Sequence, residues 1–238
     1  MTNRLSTGSL IIDTLLNGGM ETDVITTIYG PAGSGKTTLC VLAAIAGVKA
    51  GKKVIFVDTE GGFSIDRLKQ LTKNEDGADA QILDRIIFLR PTTFAEQRKA
   101  FDRLRDLIKS DDVGLVIVDT IAMLYRLEMG QAEKVYDVNK DLGRQIGYLT
   151  EIARKKSIPV LIANQVYSNF DDRDKVNLVG GDILKYGSKC LIEFQIAPDR
   201  KRRALVKKHR SIPENAEAMF EIAPEGFVEV KKKGFGLF

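Results

Sequence analysis

Apolar residues fall along this chain in two alternating patterns. Short unbroken runs rich in β-branched residues occupy 24–30 (VITTIYG), 52–60 (KKVIFVDTE), 85–91 (RIIFLRP), 113–120 (VGLVIVDT) and 158–166 (IPVLIANQV). Between them, 37–51, 94–110 and 135–157 carry apolar positions at helical spacing; Phe94, Phe101, Leu104 and Ile108 share one face with charges elsewhere. Strands apolar on both faces and separated by helices predict a parallel sheet covered on both sides. The carboxyl ends of such strands, with their loops, line one edge. After position 190 the pattern changes. CLIEFQIA and RRALVKKH flank the turn PDRK, and AMFEIAPEGFVEV folds around Pro224-Glu225-Gly226, predicting two antiparallel hairpins. No Pro/Gly/Ser-rich linker, internal repeat or low-complexity segment divides the chain. The expectation is one α/β domain spanning 1–238: a mainly parallel twisted sheet with helices on both faces, extended by C-terminal antiparallel strands.

The first strand runs into Gly30-Pro31-Ala32-Gly33-Ser34-Gly35-Lys36-Thr37-Thr38, which fits G-x-x-x-x-G-K-[ST]. Glycines let successive N–H groups turn inward around an anion, and the positive end of the following helix adds to that field. Lys36 then reaches the outer phosphates of ATP, and the Thr37 hydroxyl can ligate Mg²⁺. A strand before the loop and a helix after it are the context the motif requires. A glycine-rich connecting turn would need no such order.

Composition narrows the class. Hydrophobic residues make up 44% of 238, enough for a sizeable core. Cys40 and Cys190 lie in apolar segments without metal-ligand spacing and read as small core residues of a reducing compartment. No apolar run reaches membrane-spanning length, so a soluble, cytoplasmic protein is expected. A net charge of +4 is mild, and only its distribution can point to nucleic acid.

Polar residues at the strand ends supply the candidate chemistry. Asp119 closes the run Leu115-Val116-Ile117-Val118 and can hold magnesium opposite Thr37, although Asp also caps helices and turns after strands. Glu60 and Asp58 both follow VIFV and compete as the base that activates a hydrolytic water; the residues alone leave both open. Gln165, at a third strand end, can hydrogen-bond a terminal phosphate, though a solvated polar residue is the ordinary occupant there. Lys201 to Arg210 (KRRALVKKHR) holds Lys201, Arg202, Arg203, Lys207, Lys208 and Arg210 with the chain's one histidine, His209. Charged edge strands discourage aggregation, yet such a stripe also binds phosphate backbones.

The segments STGSLIIDTLLNGGMETDVITTIYGPAGSGKTT, VDTEGGFSIDRL, LVIVDT, IANQV and VGGDILKYGSK resemble, in that order, the motifs of RecA-type recombinases, most closely the archaeal and eukaryotic branch. The resemblance covers nearly the whole chain and implies a RecA-like phosphate-loop ATPase core. It implies that Glu60, rather than Asp58, activates water, that Arg67 packs over adenine, and that Gln165 couples the terminal phosphate to the second of two DNA-binding loops. Those loops would span about 123–134 and 167–189, with Arg126 contacting phosphate in the first. Lys207 and Lys208 have a rival role at a neighbouring protomer's ATP.

The departures from that pattern matter equally. Ser6 already begins the core's opening motif, so the helix-hairpin-helix domain of active members, and the Phe-x-x-Ala linker that joins protomers, are expected to be absent. Asp171, Asp172 and Asp174 in the second loop would repel a phosphate backbone unless Arg173 and Lys175 face it. The expectation is an ATP- and DNA-binding paralogue assisting or regulating recombination and repair, with weak ATPase and little strand exchange. Its partners would be single-stranded, double-stranded or branched DNA, the main recombinase or other repair proteins, and further copies of itself. A filament-forming strand-exchange enzyme and a signalling ATPase without DNA are the alternatives.

Overall fold

The computed structural model describes residues 3–73, 77–129, 135–168 and 176–230. A two-stranded ribbon of β1 (Arg4–Leu5) and β2 (Met20–Glu21) brackets α1 (Leu10–Leu15). The chain then alternates β3 (Ile25–Tyr29), α2 (Lys36–Lys49), β4 (Lys53–Asp58), α3 (Ile65–Thr72), α4 (Ala78–Leu83), β5 (Ile86–Leu89), α5 (Phe94–Leu107), β6 (Val113–Asp119), α6 (Met123–Glu128), α7 (Val135–Lys156) and β7 (Val160–Asn164). A small hairpin of β8 (Val166–Ser168) and β9 (Val176–Leu178) leads through α8 (Gly181–Gly187) to β10 (Cys190–Ile196), β11 (Lys201–Lys208), β12 (Glu217–Ala223) and β13 (Gly226–Glu229).

Among the described residues one nine-stranded sheet has the order β13-β12-β11-β10-β3-β7-β6-β4-β5. From β10 to β5 every neighbour is parallel, and β11, β12 and β13 add antiparallel beyond β10. Strand alternation divides the core in two. Val54 and Phe56 of β4 face α2, packing with Leu39, Val41 and Ile45. Ile55 and Val57 face α5 and α7, packing with Phe101, Leu104 and Leu149. This is the doubly covered parallel sheet that the apolar runs predict.

Two stretches expected as binding loops contain helix. Met123–Glu128 forms α6 because Leu124 and Tyr125 are buried, with the Tyr125 ring edge-on to Phe94 at 6.3 Å. Residues 181–187 form α8, anchored by the fully buried Leu184. The rest of the two expected loops, 130–134 and 169–175 with Asp171, Asp172, Arg173, Asp174 and Lys175, lies outside the described residues.

The antiparallel extension is fused to the core by aromatic packing. Phe220 of β12 is fully buried, stacked on Phe227 at 4.2 Å and edge-on to Phe194 of β10 at 5.4 Å. Phe220→Ala is therefore expected to cost about 3–5 kcal/mol, measured by equilibrium urea unfolding. A loss below about 1 kcal/mol, the size seen for surface changes, would mean that the extension is not part of the core.

Candidate functional site

The loop between β3 and α2 places a buried ammonium at the carboxyl edge of the sheet. Lys36 opens α2, and its Nζ donates to the carbonyls of Gly30 and Pro31, each at 2.9 Å. Burial lowers the Lys36 pKa, while the charges of Asp119 and Glu60 oppose that shift. Backbone packs tightly behind the loop: a Cβ on Gly30 would stand 2.1 Å from the Phe194 carbonyl oxygen, so glycine is required there by space. Ile222 and Phe227 of the extension close over Gly35. Ala32 is exposed at the bend, and Thr38 follows Thr37 within the first turn of α2.

Asp119 ends β6 beneath this loop. Burial pushes its carboxyl up to about 6, helped by the charges of Glu60 and Asp58 and opposed by a hydrogen bond from Thr37 and the charge of Lys36. Its Oδ2 is buried without a hydrogen-bond partner, and so is the Ser34 Oγ. Unsatisfied buried oxygens of this kind require an explanation, and an unplaced ion or ligand is one. No group of three or more His, Cys, Asp or Glu is assembled for a metal among the described residues. Thr37 and Asp119 could thus hold a Mg²⁺ whose shell is completed by phosphates and water, its usual mode of binding.

The neighbouring strand end separates the two carboxylates that sequence left open. Asp58 is buried, and its oxygens accept from the N–H groups of Gly62 at 3.0 Å and Phe63 at 3.2 Å. Both oxygens are committed to a turn. Glu60 is exposed and accepts from the Thr120 hydroxyl at 2.8 Å and the Gln165 amide at 2.6 Å. Gln165 in turn lies where the β8–β9 hairpin closes: its carbonyl accepts from Val179 N at 3.3 Å, while Asn164 Nδ2 donates to Val179 O at 2.7 Å.

Arg67 stands on the first turn of α3, which is capped by Ser64. Its guanidinium donates to the carbonyls of Ala223 at 2.8 Å and Pro224 at 3.2 Å, at the β12–β13 turn. The site is therefore bounded by the antiparallel extension as well as by the parallel core.

The basic strand does not present one open face. Ala204 and Val206 point into the core beside α2, and Arg202 shares their side, donating to Gly33 O at 3.0 Å. Arg203, on the opposite side, pairs with Glu217. The Lys201 amine lies 3.8 Å from Asp199. Lys208 donates to the carbonyls of Lys185 at 2.6 Å and Ser188 at 2.8 Å. His209 Nδ1 accepts from the N–H groups of Ser211 and Ile212, and burial lowers its pKa. Arg210 forks onto Asp23 at 2.8 and 2.9 Å and reaches Glu21. Lys207 makes only a 3.4 Å contact with Asn215. Arg126 is exposed on α6 at a cleft of about 600 Å³ lined also by Tyr125, Met129, Tyr167 and Ile183.

Comparison with known proteins agrees with this arrangement. The family model described as Rad51 matches residues 2–230. The chain belongs to the Rad51 family. Within it, 223 residues are 42% identical to the DNA repair and recombination protein RadB of Methanobrevibacter smithii, covering 91% of this chain and 92% of that one. The RadB of Methanococcoides burtonii is 41% identical over 216 residues, covering 90% and 93%. A solved structure described as the RadB recombinase superposes with a TM-score of 0.81 at 35% identity, covering 95% of this chain and all of the other. Membership of the Rad51 family carries nucleotide binding with it, which fits the glycine cradle, the buried ammonium and the two unsatisfied oxygens.

Sequence reasoning missed Thr120, whose hydroxyl holds Glu60, and the second function of the extension as a wall of the site. Thr120 follows Asp119 directly, so its placement beside the carboxylate edge was available in principle from the strand's end. No feature of the sequence pairs Arg202 with Gly33, 169 positions away.

Asp119 also carries a stability cost. Its folded pKa near 6 lies above the ordinary value of 3.8, so the unfolded chain ionises first and stability falls as pH rises between these values, then levels. Asp119→Asn is expected to stabilise the nucleotide-free protein at pH 7.5 by about 1–3 kcal/mol, with the gain vanishing near pH 4. Urea midpoints at both pH values check this; a destabilised variant at pH 7.5 would contradict the burial argument.

Proposed function

We propose that this chain is an ATP- and DNA-binding member of the Rad51 family that assists or regulates recombinational repair, using nucleotide chiefly as a conformational switch. The observation supporting it is the hydrogen-bonded path from Glu60 through Gln165 to Val179. One end is the carboxylate suited to activating water. The other is the closure of the β8–β9 hairpin, beside the cleft that carries Arg126 and Tyr167.

The chain's own groups divide the work. Lys36 leaves the Gly30 and Pro31 carbonyls for phosphate oxygens, exchanging two neutral acceptors for anionic ones. Thr37 and Asp119 would hold the magnesium, and Arg67 would border the base. Glu60, free of the turn that engages Asp58, orients a water for in-line attack. Bound Mg-ATP supplies the anhydride bond and concentrates negative charge at the sheet edge. The Gln165 amide cannot serve Glu60 and a terminal phosphate with the same hydrogen. Its second hydrogen can reach a terminal phosphate, or the phosphate can draw the amide from Glu60; either way the new bond is made one residue before the hairpin begins.

DNA contacts fall to the cations held least tightly: Arg126 at the cleft, and Lys201 and Lys207 on β11, whose contacts with Asp199 and Asn215 are long. Phosphate binding by such groups is sequence-independent and salt-sensitive. Assistance of recombination, rather than strand exchange by filaments, remains the reading that the heavily paired basic strand supports best, because few of its charges are free to neutralise a backbone.

Two experiments test the proposal. Gln165→Ala should retain nucleotide affinity while DNA affinity loses its dependence on a non-hydrolysable ATP analogue, read by fluorescence anisotropy of labelled oligonucleotides. Full nucleotide dependence in that variant would refute the coupling. The double change Lys201→Glu with Lys207→Glu should lower the slope of log affinity against log salt by about 1.5; an unaltered slope would place DNA elsewhere. Efficient strand exchange by the purified protein would favour the full recombinase instead.

A further inference from the structure

Arg202 belongs by sequence to the basic run, but its guanidinium is turned away from solvent-facing neighbours and onto the phosphate loop. Nε donates to Gly33 O at 3.0 Å, and Nη1 donates to the carbonyls of Arg200 at 2.9 Å and Lys201 at 3.0 Å. The last two bonds are made to its own strand's entry and fix the direction of the planar fork. The first crosses from the antiparallel extension to the crest of the loop.

That single contact sets the orientation of an amide. The Gly33–Ser34 peptide is trans, so its C=O and N–H point in opposite directions. With the Gly33 oxygen held outward by Arg202, the Ser34 N–H is aimed back into the loop. There it meets Pro31 O at 3.3 Å, a long bond to the same oxygen that accepts from Lys36 Nζ at 2.9 Å. The Ser34 hydroxyl, fully buried, has no partner at all. Gly33 has φ +74, and a Cβ there would meet nothing within 4 Å, so the residue supplies rotational freedom rather than fit. A peptide beside such a glycine turns easily unless its oxygen is held.

We infer that Arg202 is a positioning residue of the nucleotide site: it locks the Gly33–Ser34 peptide so that the Ser34 N–H faces the incoming phosphate. The inference rests on the nucleotide-binding reading above and assigns Arg202 to that site instead of to DNA. On loading, the Ser34 N–H exchanges its long bond to Pro31 O for an anionic oxygen on the inner side of the loop, the side that Lys36 also faces. The cation behind the carbonyl also polarises the peptide, strengthening the N–H as a donor. Arginine suits this task because its fork reaches two of its own carbonyls and one on the loop simultaneously, which an ammonium on a flexible stem does poorly.

The test uses Arg202→Met, which keeps the aliphatic stem and removes the donors, together with Arg202→Lys and, as a loss-of-binding control, Lys36→Ala. Fluorescent ADP and ATP analogues are titrated onto each full-length protein without DNA, alongside thermal unfolding and amide hydrogen exchange of the peptide containing Ser34. Expected are nucleotide affinity roughly tenfold weaker in Arg202→Met, an unfolding midpoint near that of the wild type, faster exchange at Ser34, and partial recovery in Arg202→Lys. Wild-type nucleotide affinity in Arg202→Met, whatever happens to its DNA binding, overturns the inference while leaving the nucleotide reading intact. An affinity loss that only tracks a lowered unfolding midpoint, with no recovery in the lysine variant, overturns it as well. A wild-type protein that binds neither nucleotide removes the reading and the inference together.

Discussion

A buried ammonium must be matched, and the structure is organised around matching that of Lys36. Two backbone carbonyls, of Gly30 and Pro31, accept hydrogen bonds from it. Asp119 and Glu60 supply the opposing charge from two neighbouring strand ends. Neutral acceptors satisfy hydrogen-bond geometry but leave the charge only partly compensated, since an unpaired buried charge is far costlier than an unpaired dipole. An anion entering the cradle improves that balance, which is the electrostatic reason for the loop to bind phosphate. The same compensation explains why the carboxylates are tolerated at the sheet edge, where each is repelled by its neighbours.

The parallel sheet makes this possible by delivering three strand ends to one line. Register places Asp58 opposite Asp119, and Asp119 opposite Ala163, just before Asn164 and Gln165. Short-range differences then decide roles. Asp58 is drawn into the turn at Gly62 and Phe63, Asp119 is buried under the loop, and Glu60 is exposed, held by Thr120 and Gln165. Chemically similar groups in neighbouring strand ends thus become a structural anchor, a candidate cation ligand and a candidate base.

Much of this was legible in the sequence where the signal is local. The runs at Val54–Val57 and Leu115–Val118 are apolar at every position, and only a strand buried on both faces uses such a run economically. The glycine spacing before Lys36 specifies the loop. What was not legible depends on pairing between distant segments. The residues alone left Glu60 and Asp58 open and only the resemblance favoured Glu60; the two backbone amides that engage Asp58 are a further reason, and no side-chain pattern reveals their direction. The basic run read as one patch because a linear sequence does not weigh strand alternation against ion pairs; Arg203 finds Glu217 across β12, and Arg210 finds Asp23 and Glu21 near the start of the fold. The short helices α6 and α8 were read as loops because six or seven residues give too little periodicity, while Leu124 and Leu184 fix them by burial.

The extension beyond β10 has the most consequential position of any element added to the parallel core. It touches the loop at its crest and at its helix end, where Arg202 holds Gly33 and Ile222 with Phe227 covers Gly35, while the Phe194 carbonyl of β10 itself lies behind Gly30. It also carries the carbonyls that receive Arg67. Phe220, packed on Phe194 and Phe227, joins this extension to the core, so the loop and β11 to β13 share one packed edge of the sheet. The strand bearing Lys201 and Lys207 is consequently joined to the nucleotide site by covalent continuity with Arg202, one and five residues away. This contact is separate from the one through Gln165, which leads instead to the β8–β9 hairpin and the cleft of Arg126.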